Sequence, residues 1–561
     1  MKGKPNTRQF LCLSLLLAVL FTYPYWRRDF LAIEMDTFFH LARIQSLGES
    51  IRRFDLYPLV FASQNGFFGY GSPLFYCNLL LWPFACLYAF HVPLSVCYKL
   101  AVFLYTGLSA YTMLRFLFAV TGKRAASFAA AAIWIFASYR ISDVYVRGAL
   151  GEVMAMAFLP LFLESLYDMV TDDEPFQGRL TLALVGVLLS HNLSFVLTMA
   201  LLLLTLLVFH KRLTPKKSRA LLKSLFLSFL LTAWFTLPML EQLFSQRFYL
   251  HYYATAMDLQ KEAMTSAQFL QYRILFGVGG YGMRQGTYMT LSPGYLLFCI
   301  PLLSYSRRQD AFTKFCFFSG LFFALAPLNI WPWKWFPFLR ILQFPWRLET
   351  IACLLLAPPC AKGIQRLLQK RSTAVLITVL VLGDGMVRLL PACSRTFGIT
   401  SHTPDTFLVD GSLIDPYYSS TYMRTQLAGG DYMPIGSPDF RSYPPTVHDL
   451  SGAAVVPESE TRTPFYRFTV TKSGTWILPV TWYKGYCVYR LKDGVETAIP
   501  TTVSNQRLVQ CTVTEPGTYI CRYRPTPLWR WSALISVLTG AILIYTYRSR
   551  SFSATDRKRI L

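Results

Sequence analysis

Long apolar runs alternate with short polar connectors over most of this 561-residue chain. Stretches of about 20 apolar residues with few charges are typical of transmembrane helices. The pattern therefore predicts a polytopic α-helical membrane protein. The apolar runs are approximately 9–25, 72–92, 96–118, 125–141, 150–169, 179–191, 192–210, 221–240, 291–305, 312–329, 347–363, 373–391 and 528–547.

The basic connectors orient these runs, because loops rich in Lys and Arg stay in the cytoplasm. With a cytoplasmic N-terminus and Lys123-Arg124 inside, a single helix must cross back between residues 26 and 123. Run 72–92 contains Pro73 and Pro83, so it is predicted to be re-entrant or interfacial. Run 179–210 then crosses twice, with its break at 190–192 outside. This scheme predicts twelve spans and two cytoplasmic termini.

A second topology remains open at this stage. In it run 72–92 spans the membrane and run 179–210 is one long helix, which places Lys123-Arg124 outside. In either scheme the basic start and the uncleaved first run predict a multi-pass protein that is held in the membrane from its first helix onward.

Regions 26–71, 241–290 and 392–526 interrupt the apolar pattern and are predicted to face outward. The last is rich in Thr, Tyr and Val, with turns every 8–12 residues and alternating segments such as 465–470. We expect a multi-span domain over 1–391, an extracytoplasmic β-sandwich-like domain over 392–526, and a final helix with a basic tail over 527–561.

Charge and cysteine content refine this picture. The net charge is +24, with 54 Lys and Arg against 30 Asp and Glu. Because the basic residues cluster between apolar runs, they favour anionic lipids as partners and argue against nucleic acid. Of the 12 cysteines, Cys511 and Cys521 flank a Glu-Pro-Gly turn symmetrically. A hairpin there would place them opposite each other, where a disulfide is one possibility.

The segment after the first run has the most informative polar pattern. Asp36, His40 and Arg43 are spaced i, i+4 and i+7, so a helix would place them on one face. A carboxylate, an imidazole and a guanidinium aligned at the membrane surface suit recognition of a charged lipid headgroup. An ordinary amphipathic interfacial helix would show the same spacing.

Three other outer turns carry polar groups that are costly at membrane depth, and such groups indicate function. Each has a structural alternative: an interfacial ion pair, a pair of helix caps, or an aromatic belt with a snorkelling Arg. Convergence of all four segments on one side favours a site. The residues are Asp143, Arg147 and Glu152; His191 and Asn192; and Gln343, Arg347 and Glu349.

These segments carry a family resemblance. An outer first loop with Asp-x-x-x-His-x-x-Arg resembles the C-type (GT-C) integral-membrane glycosyltransferases. More narrowly, Met35-Asp-Thr-Phe-Phe-His40, Tyr145-Val-Arg-Gly-Ala-Leu-Gly-Glu152, Ser190-His-Asn192 and Phe344-Pro-Trp-Arg347 resemble the bacterial membrane family labelled "6-pyruvoyl-tetrahydropterin synthase-related". The tail motifs Trp482-Tyr-Lys-Gly-Tyr486, Gly517-Thr-Tyr519 and Tyr523-Arg-Pro-Thr526 resemble related proteins with an outer β domain before the last helix.

The resemblance implies a transferase that moves a sugar from a polyprenyl-phosphate donor to an envelope glycan or protein acceptor outside the cytoplasm. By position, Asp36 is then catalytic and Glu152 is a second carboxylate candidate. Arg43, Arg147 and Arg347, in that order, are the candidates for holding the lipid phosphate.

His40 would assist phosphate binding, while His191, Asn192 and Gln343 would line the substrate site. Some relatives bind a divalent cation, so a cation is a possible cofactor. However, Glu34 and Asp36 are i and i+2 and would face apart on a helix.

Two other functions remain open. A transporter or flippase for a lipid-linked glycan would also use discontinuous segments and polar groups at mid-membrane, although no inverted repeat is visible. A non-catalytic assembly protein would instead rely on the β domain. Neither the sugar nor the acceptor follows from the sequence.

Overall fold

The computed structural model describes most of the chain. The described ranges are 7–32, 34–172, 177–273, 289–367, 371–394, 398–400, 407–409, 412–414, 430–440, 443, 446–452, 454–455 and 465–557. Contacts divide the chain into two units. The first comprises 1–52, 78–222 and 253–420, and the second comprises 53–77, 223–252 and 421–561.

Helices make up most of the first unit, and several of them follow the predicted apolar runs. The helices that lie wholly in this unit are α1 (Thr7–Trp26), α2 (Thr37–Arg52), α4 (Trp82–Ala89), α5 (Leu94–Thr121), α6 (Arg124–Ile135), α7 (Ser138–Ser142), α8 (Leu150–Ala155), α9 (Leu159–Thr171), α10 (Gln177–Ser190), α11 (Asn192–Val208), α14 (Leu259–Glu262), α15 (Ser266–Leu270), α16 (Tyr295–Leu303), α17 (Ala311–Leu325), α18 (Glu349–Leu367) and α19 (Arg371–Cys393). Helix α3 (Ser72–Phe75) belongs to the second unit, and α12 (Pro215–Ser245) and α13 (Tyr249–Ala256) run through the boundary.

Six helices in the described residues are long and apolar enough to cross a membrane, or seven if a bent pair counts as one span. They comprise α1, α5, α8 together with α9, α12, residues 375–393 of α19, and the start of the last helix. The predicted twelve spans are therefore not confirmed. Several predicted runs fall short: run 291–305 yields only the nine-residue α16, and run 72–92 is divided into α3, a 3₁₀ turn and α4.

Local sequence signals explain several helix ends. Helix α5 ends at Gly122, which adopts the left-handed conformation (φ 67°) and donates its N–H to the carbonyl of Phe118 at 2.8 Å. Helix α10 ends at Ser190 and α11 begins at Asn192, so the chain breaks within the predicted triad 190–192. The Nδ1 of His191 accepts the backbone N–H of Ser194 at 3.2 Å and caps α11.

Two features of the first unit bear on the site. The bent span consists of α6 and α7, followed by a π-helical turn over Asp143–Arg147. A small antiparallel sheet joins β1 (Phe30–Ala32), β2 (Gly398–Thr400), β3 (Phe407–Val409) and β4 (Ser412–Ile414) in that order. The strand that leads into the first loop, β1, is therefore paired with β2, which follows α19 in the chain.

The second unit contains two antiparallel sheets and the last helix, α20 (Pro527–Arg557). One sheet has the order β10-β9-β13-β7 and the other the order β11-β12-β8-β5-β6. A shared core packs apolar side chains of both sheets, including Phe468, Trp476 and Tyr519. The strands are β5 (Val447–Asp449), β6 (Ala454–Val455), β7 (Phe465–Val470), β8 (Gly474–Thr481), β9 (Tyr486–Lys492), β10 (Val495–Ile499), β11 (Thr501–Val503), β12 (Leu508–Val513) and β13 (Gly517–Tyr523).

The hairpin that the turn at 514–516 would allow does not form. Strand β12 pairs with β8 and β11, whereas β13 pairs with β7 and β9, so Cys511 and Cys521 lie in different sheets. Both thiols are buried and free. The Glu-Pro-Gly turn connects the two layers of the sandwich instead of two neighbouring strands.

Candidate functional site

The first loop is attached to the π-helical turn by main-chain hydrogen bonds. The N–H of Asp36 donates to the carbonyl of Arg147 at 2.7 Å, and that of Met35 donates to Val146 at 3.3 Å. The spacing predicted that Asp36 lies within the helix. Helix α2 begins at Thr37, however, so Asp36 lies just before it. The carbonyl of Asp36 accepts the N–H of His40 at 3.2 Å, which continues the first helical turn.

Gly148 permits this close approach. Its φ of 63° is in the left-handed region, and a Cβ there would lie 2.5 Å from Oγ1 of Thr37 and 3.0 Å from Cβ of Glu34. The hydroxyl of Tyr98 donates to the carbonyl of Gly148 at 3.1 Å. A side chain at this position would therefore push the loop that carries Asp36 away from the π-helical turn.

Glu152 is the centre of the polar cluster. Its Oε1 accepts a hydrogen bond from Nη2 of Arg147 at 2.9 Å and lies 3.3 Å from Nε of Arg347. Its Oε2 accepts the hydroxyl of Tyr139 at 3.0 Å. Because both carboxylate oxygens are engaged, the contacts of Glu152 suit the positioning of two guanidiniums better than proton transfer.

Arg147 is enclosed on all sides. Besides Glu152, it pairs with the buried carboxylate of Asp143, donates to the hydroxyl of Tyr139 at 3.5 Å, and lies 4.6 Å from the ring centroid of Trp346. Only 4% of its side chain is exposed. The contacts of this guanidinium are therefore with the protein itself, which leaves little of it for a ligand.

The guanidinium of Arg347 contacts the protein through Nε and Nη1. Its Nη1 donates to Oε1 of Gln343 at 2.6 Å and to the carbonyl of Leu342 at 3.2 Å. Its Nη2 makes no hydrogen bond to any residue that the structure describes. With 11% of the side chain exposed, one edge of this guanidinium remains available to a ligand.

The turn before Arg347 is strained. Gln343 has φ 62° and ψ −45°, and the N–H of Phe344 donates to the carbonyl of Leu342 at 2.7 Å. These values describe a γ-turn of the rare type with positive φ. Strain of this kind is stored where the surrounding structure fixes it, often at functional sites. Here it directs the side chain of Gln343 back onto Arg347, so Gln343 positions a guanidinium.

His40 and Arg43 form a second buried group with Asn78. The Nε of Arg43 donates to Oδ1 of Asn78 at 2.8 Å, and its Nη1 lies 3.2 Å from Nδ1 of His40. A guanidinium can only donate, so this contact makes Nδ1 of His40 an acceptor and leaves the proton on Nε2. Burial, reinforced by the charge of Arg43, holds the pKa of His40 well below its usual 6.5.

His191 and Asn192 occupy the turn between α10 and α11. Burial, together with the positive charges of Arg347 and Arg147, lowers the pKa of His191 to about 4, although Glu152 acts in the opposite direction. His191 is therefore neutral at physiological pH and belongs to the electrostatic environment of Glu152. Asn192 is half-buried at the first position of α11.

Asp36 is half-buried within this field of charges. Burial raises the pKa of its carboxyl above the usual 3.8, while Arg147 and Arg347 act to lower it and Glu152 acts to raise it. Burial has the largest effect, so the carboxylate is a stronger base than an exposed aspartate. Three of the four segments thus bring the carboxylates of Asp36, Asp143 and Glu152 and three guanidiniums into one part of the first unit, and His191 of the fourth segment lies in the same field of charges.

A divalent cation does not fit the residues that are present. Within the described ranges, no three His, Cys, Asp or Glu side chains are grouped so that they could ligate one ion. The carboxylates of Asp143 and Glu152 are paired with guanidiniums, whose charge opposes a cation.

Some residues of the site lacked a usable sequence signal. Tyr139 and Trp346 resemble ordinary aromatic residues of a membrane protein, yet both contact Arg147. Asn78 stood out as a polar residue in an apolar run, which could have indicated a buried partner. Glu349 is fully buried at the start of α18, and its carboxylate forms no hydrogen bond within the described part of the chain.

Comparisons with known proteins give little further information. No family model matches the sequence, and no curated protein is significantly similar to it. Among solved structures, the chain is similar to the single-particle cryo-EM structure of the arabinofuranosyltransferase AftD from Mycobacteria, with a TM-score of 0.48 and 15% identity. The similarity covers 71% of this chain and 28% of that one, so this chain spans less than a third of the length of that protein.

Proposed function

We propose that this protein is a membrane glycosyltransferase that moves a sugar from a polyprenyl-phosphate donor to an acceptor in the cell envelope. The observation that carries the proposal is the placement of Asp36 beside Arg147 and Arg347. A basic carboxylate and a guanidinium with one free edge are the two groups that such a reaction requires. The resemblance of the motifs around these residues to C-type glycosyltransferases supports the same assignment.

In the proposed reaction an acceptor hydroxyl oxygen attacks the anomeric carbon of the donor sugar. The bond between that carbon and the phosphate oxygen breaks, and its electron pair leaves with the polyprenyl phosphate. The carboxylate of Asp36 accepts the proton of the hydroxyl, for which its burial-raised pKa suits it.

The developing charge on the leaving phosphate requires a hydrogen-bond donor that is already in place. Arg347 suits this role best, because Glu152, Gln343 and the carbonyl of Leu342 orient it while Nη2 remains available. Arg147 is enclosed by its partners, so its part is to orient Glu152 and, through its main chain, Asp36. Arg43 with neutral His40 is a second cationic group for the phosphate.

The test is an assay of the purified full-length protein in lipid vesicles with a panel of polyprenyl-phosphate sugars. Release of polyprenyl phosphate and transfer of the sugar are measured together, with the Asp36→Asn variant as the matched control. We expect at least one donor to be consumed by the parent protein and not by the variant. Movement of an intact donor across the membrane without release of phosphate would instead establish the transporter, and would overturn the proposal.

A further inference from the structure

Residues 330–341, between α17 and α18, expose an unusual set of large apolar side chains. Trp335 is 77% exposed, Phe338 72% and Ile330 69%. These residues lie outside the helices that qualify as membrane spans. A contiguous exposed apolar surface indicates a partner. The six exposed large apolar residues are Ile330, Trp331, Trp335, Phe336, Phe338 and Ile341.

The backbone that presents these side chains is fixed by contacts within the first unit. Trp333 is buried; its backbone N–H donates to Oε1 of Gln260 at 3.0 Å, and its Nε1 donates to the carbonyl of Leu328 at 3.3 Å. The guanidinium of Arg340 donates to the carbonyl of Thr255 at 3.1 Å. Short 3₁₀ helices over Trp333–Trp335 and Pro337–Leu342 complete the segment. The apolar side chains are thus displayed by a defined scaffold.

The charges of this surface have one sign. Lys334 and Arg340 are its only ionisable residues, and neither forms an ion pair with any residue that the structure describes. Trp and Phe side chains with interspersed Lys and Arg match the chemistry of a membrane interface, where rings lie at headgroup level and basic groups meet anionic lipids. The segment also lies between α17, an apolar helix of 15 residues, and the apolar run 347–363 of the sequence.

We propose that residues 330–341 form a membrane-interface surface that inserts its aromatic side chains among lipid headgroups and binds anionic phospholipid through Lys334 and Arg340. The surface ends one residue before the buried Leu342 and two before the strained turn at Gln343. Lipid contact therefore fixes the segment from which Arg347 projects. This inference concerns the membrane and holds whichever reaction the site performs.

Depth measurements with a nitroxide label test the insertion. In the full-length protein with the exposed Cys12 replaced (Cys12→Ser), a label is attached at Phe338→Cys, and at Asn505→Cys on an exposed turn of the second unit as the matched control. The protein is placed in phosphatidylcholine vesicles that contain phosphatidylglycerol. Collisions with oxygen, which concentrates in the bilayer, should dominate the relaxation of the nitroxide at 338. Collisions with a water-soluble nickel chelate should dominate it at 505. Equal chelate access at both positions would overturn the proposal.

Two further outcomes are decisive. Spin–spin broadening at 338 that disappears on dilution with unlabelled protein would show that a second copy covers the surface, which also overturns the proposal.

If the proposal is correct, phosphatidylglycerol increases the depth at 338 relative to phosphatidylcholine alone. The Lys334→Gln/Arg340→Gln variant should lose that increase, whereas Arg307→Gln/Arg308→Gln, with the same loss of exposed charge, should retain it. Persistence of the increase in the first variant would remove the lipid-binding role of these charges.

Discussion

The N–H of Asp36 donates to the carbonyl of Arg147 at 2.7 Å, so the main chains of these two residues join the first loop to the π-helical turn. Their side chains do not take part in this bond. Substitution of either side chain therefore removes no atom of this main-chain connection.

The first prediction concerns Asp36. Asparagine keeps the shape of the side chain but removes its charge and basicity, so Asp36→Asn should lower turnover by roughly 10²–10⁴-fold, the usual contribution of a general base. Single-turnover release of polyprenyl phosphate measures this. Asp493→Asn, on an exposed hairpin where φ is 50° and Asn is well tolerated, is the matched control and should be silent. Near-normal transfer by Asp36→Asn would remove this residue from the mechanism.

The second prediction concerns Arg347. Lysine keeps the charge but loses the planar edge that can grip a phosphate while the other edge contacts Gln343. Arg347→Lys should raise the KM for the lipid-phosphate donor by roughly tenfold, since a hydrogen bond to a charged group contributes about 1.5–3 kcal/mol. Donor titration at a fixed acceptor concentration measures the effect. An unchanged donor KM would assign phosphate binding to another group, with Arg43 next in line.

Arg147→Lys should behave differently. A lysine cannot reproduce the contacts to Asp143, Glu152 and Tyr139 at once, so buried acceptors are left unpaired at a cost of about 1–3 kcal/mol. We expect a lower thermal midpoint for this variant, together with reduced activity, and normal membrane insertion. If Arg147→Lys kept the parent's stability and changed only the donor KM, Arg147 would be the phosphate ligand.

Gly148 offers a test of positioning without any change of charge. Gly148→Ala places a Cβ 2.5 Å from Oγ1 of Thr37, so the first loop must move away from the π-helical turn. Displacement by about 1 Å can lower turnover by roughly 10²-fold. Gly122→Ala is the matched control, because Gly122 has a similar φ of 67° but nothing lies within 4 Å of its Cβ position. If both variants lost activity equally, backbone strain alone would explain the loss.

The membrane class and the sandwich could be predicted from the sequence because both depend on local periodicity. Apolar runs of span length became α1, α5, α12 and α20, and the polar triad 190–192 marked the break between α10 and α11. Strand pairing could not be predicted in the same way. The turn at 514–516 has the residues of a hairpin, but the core of a sandwich decides which sheet each strand joins.

The candidate site was predictable in residue types but not in geometry. The sequence shows four polar segments. The structure joins three of them, the first loop, 142–152 and 342–349, through Glu152, Arg147 and Arg347. The spacing of Asp36, His40 and Arg43 predicted one continuous helical face, whereas the helix starts one residue after Asp36 because that residue pairs with Arg147 instead. A long-range backbone contact of this kind leaves no periodic signal.

The orientation of the chain in the membrane remains a prediction that thiol labelling can test. Cysteines introduced at Met35 and Ser473, both exposed, should react with a membrane-impermeant maleimide in intact cells, whereas Lys216→Cys should react only after permeabilisation. Gly280, in the predicted outer loop 241–290, and Asp410, in the predicted β domain, lie outside the described residues. Labelling of Lys216→Cys from outside would reverse the topology and place the site on the cytoplasmic face.

The last prediction couples the activity of Asp36 to stability. Burial raises the pKa of this carboxyl in the folded protein, so folding favours the protonated form. The stabilising contribution is fully present below the unfolded-state pKa of 3.8 and is lost as the pH rises through the folded-state pKa. At neutral pH the ionised Asp36 is therefore a destabilising group, whereas the amide that Asp36→Asn introduces carries no charge to bury. We expect this variant to have a higher thermal midpoint than the parent at neutral pH, with the difference shrinking as the pH falls towards 3.8, whereas Asp493→Asn should show no such trend. A variant that is both inactive and less stable at neutral pH would mean that the arginines stabilise the carboxylate more than burial penalises it, and that Asp36 acts as their structural partner instead of as a base.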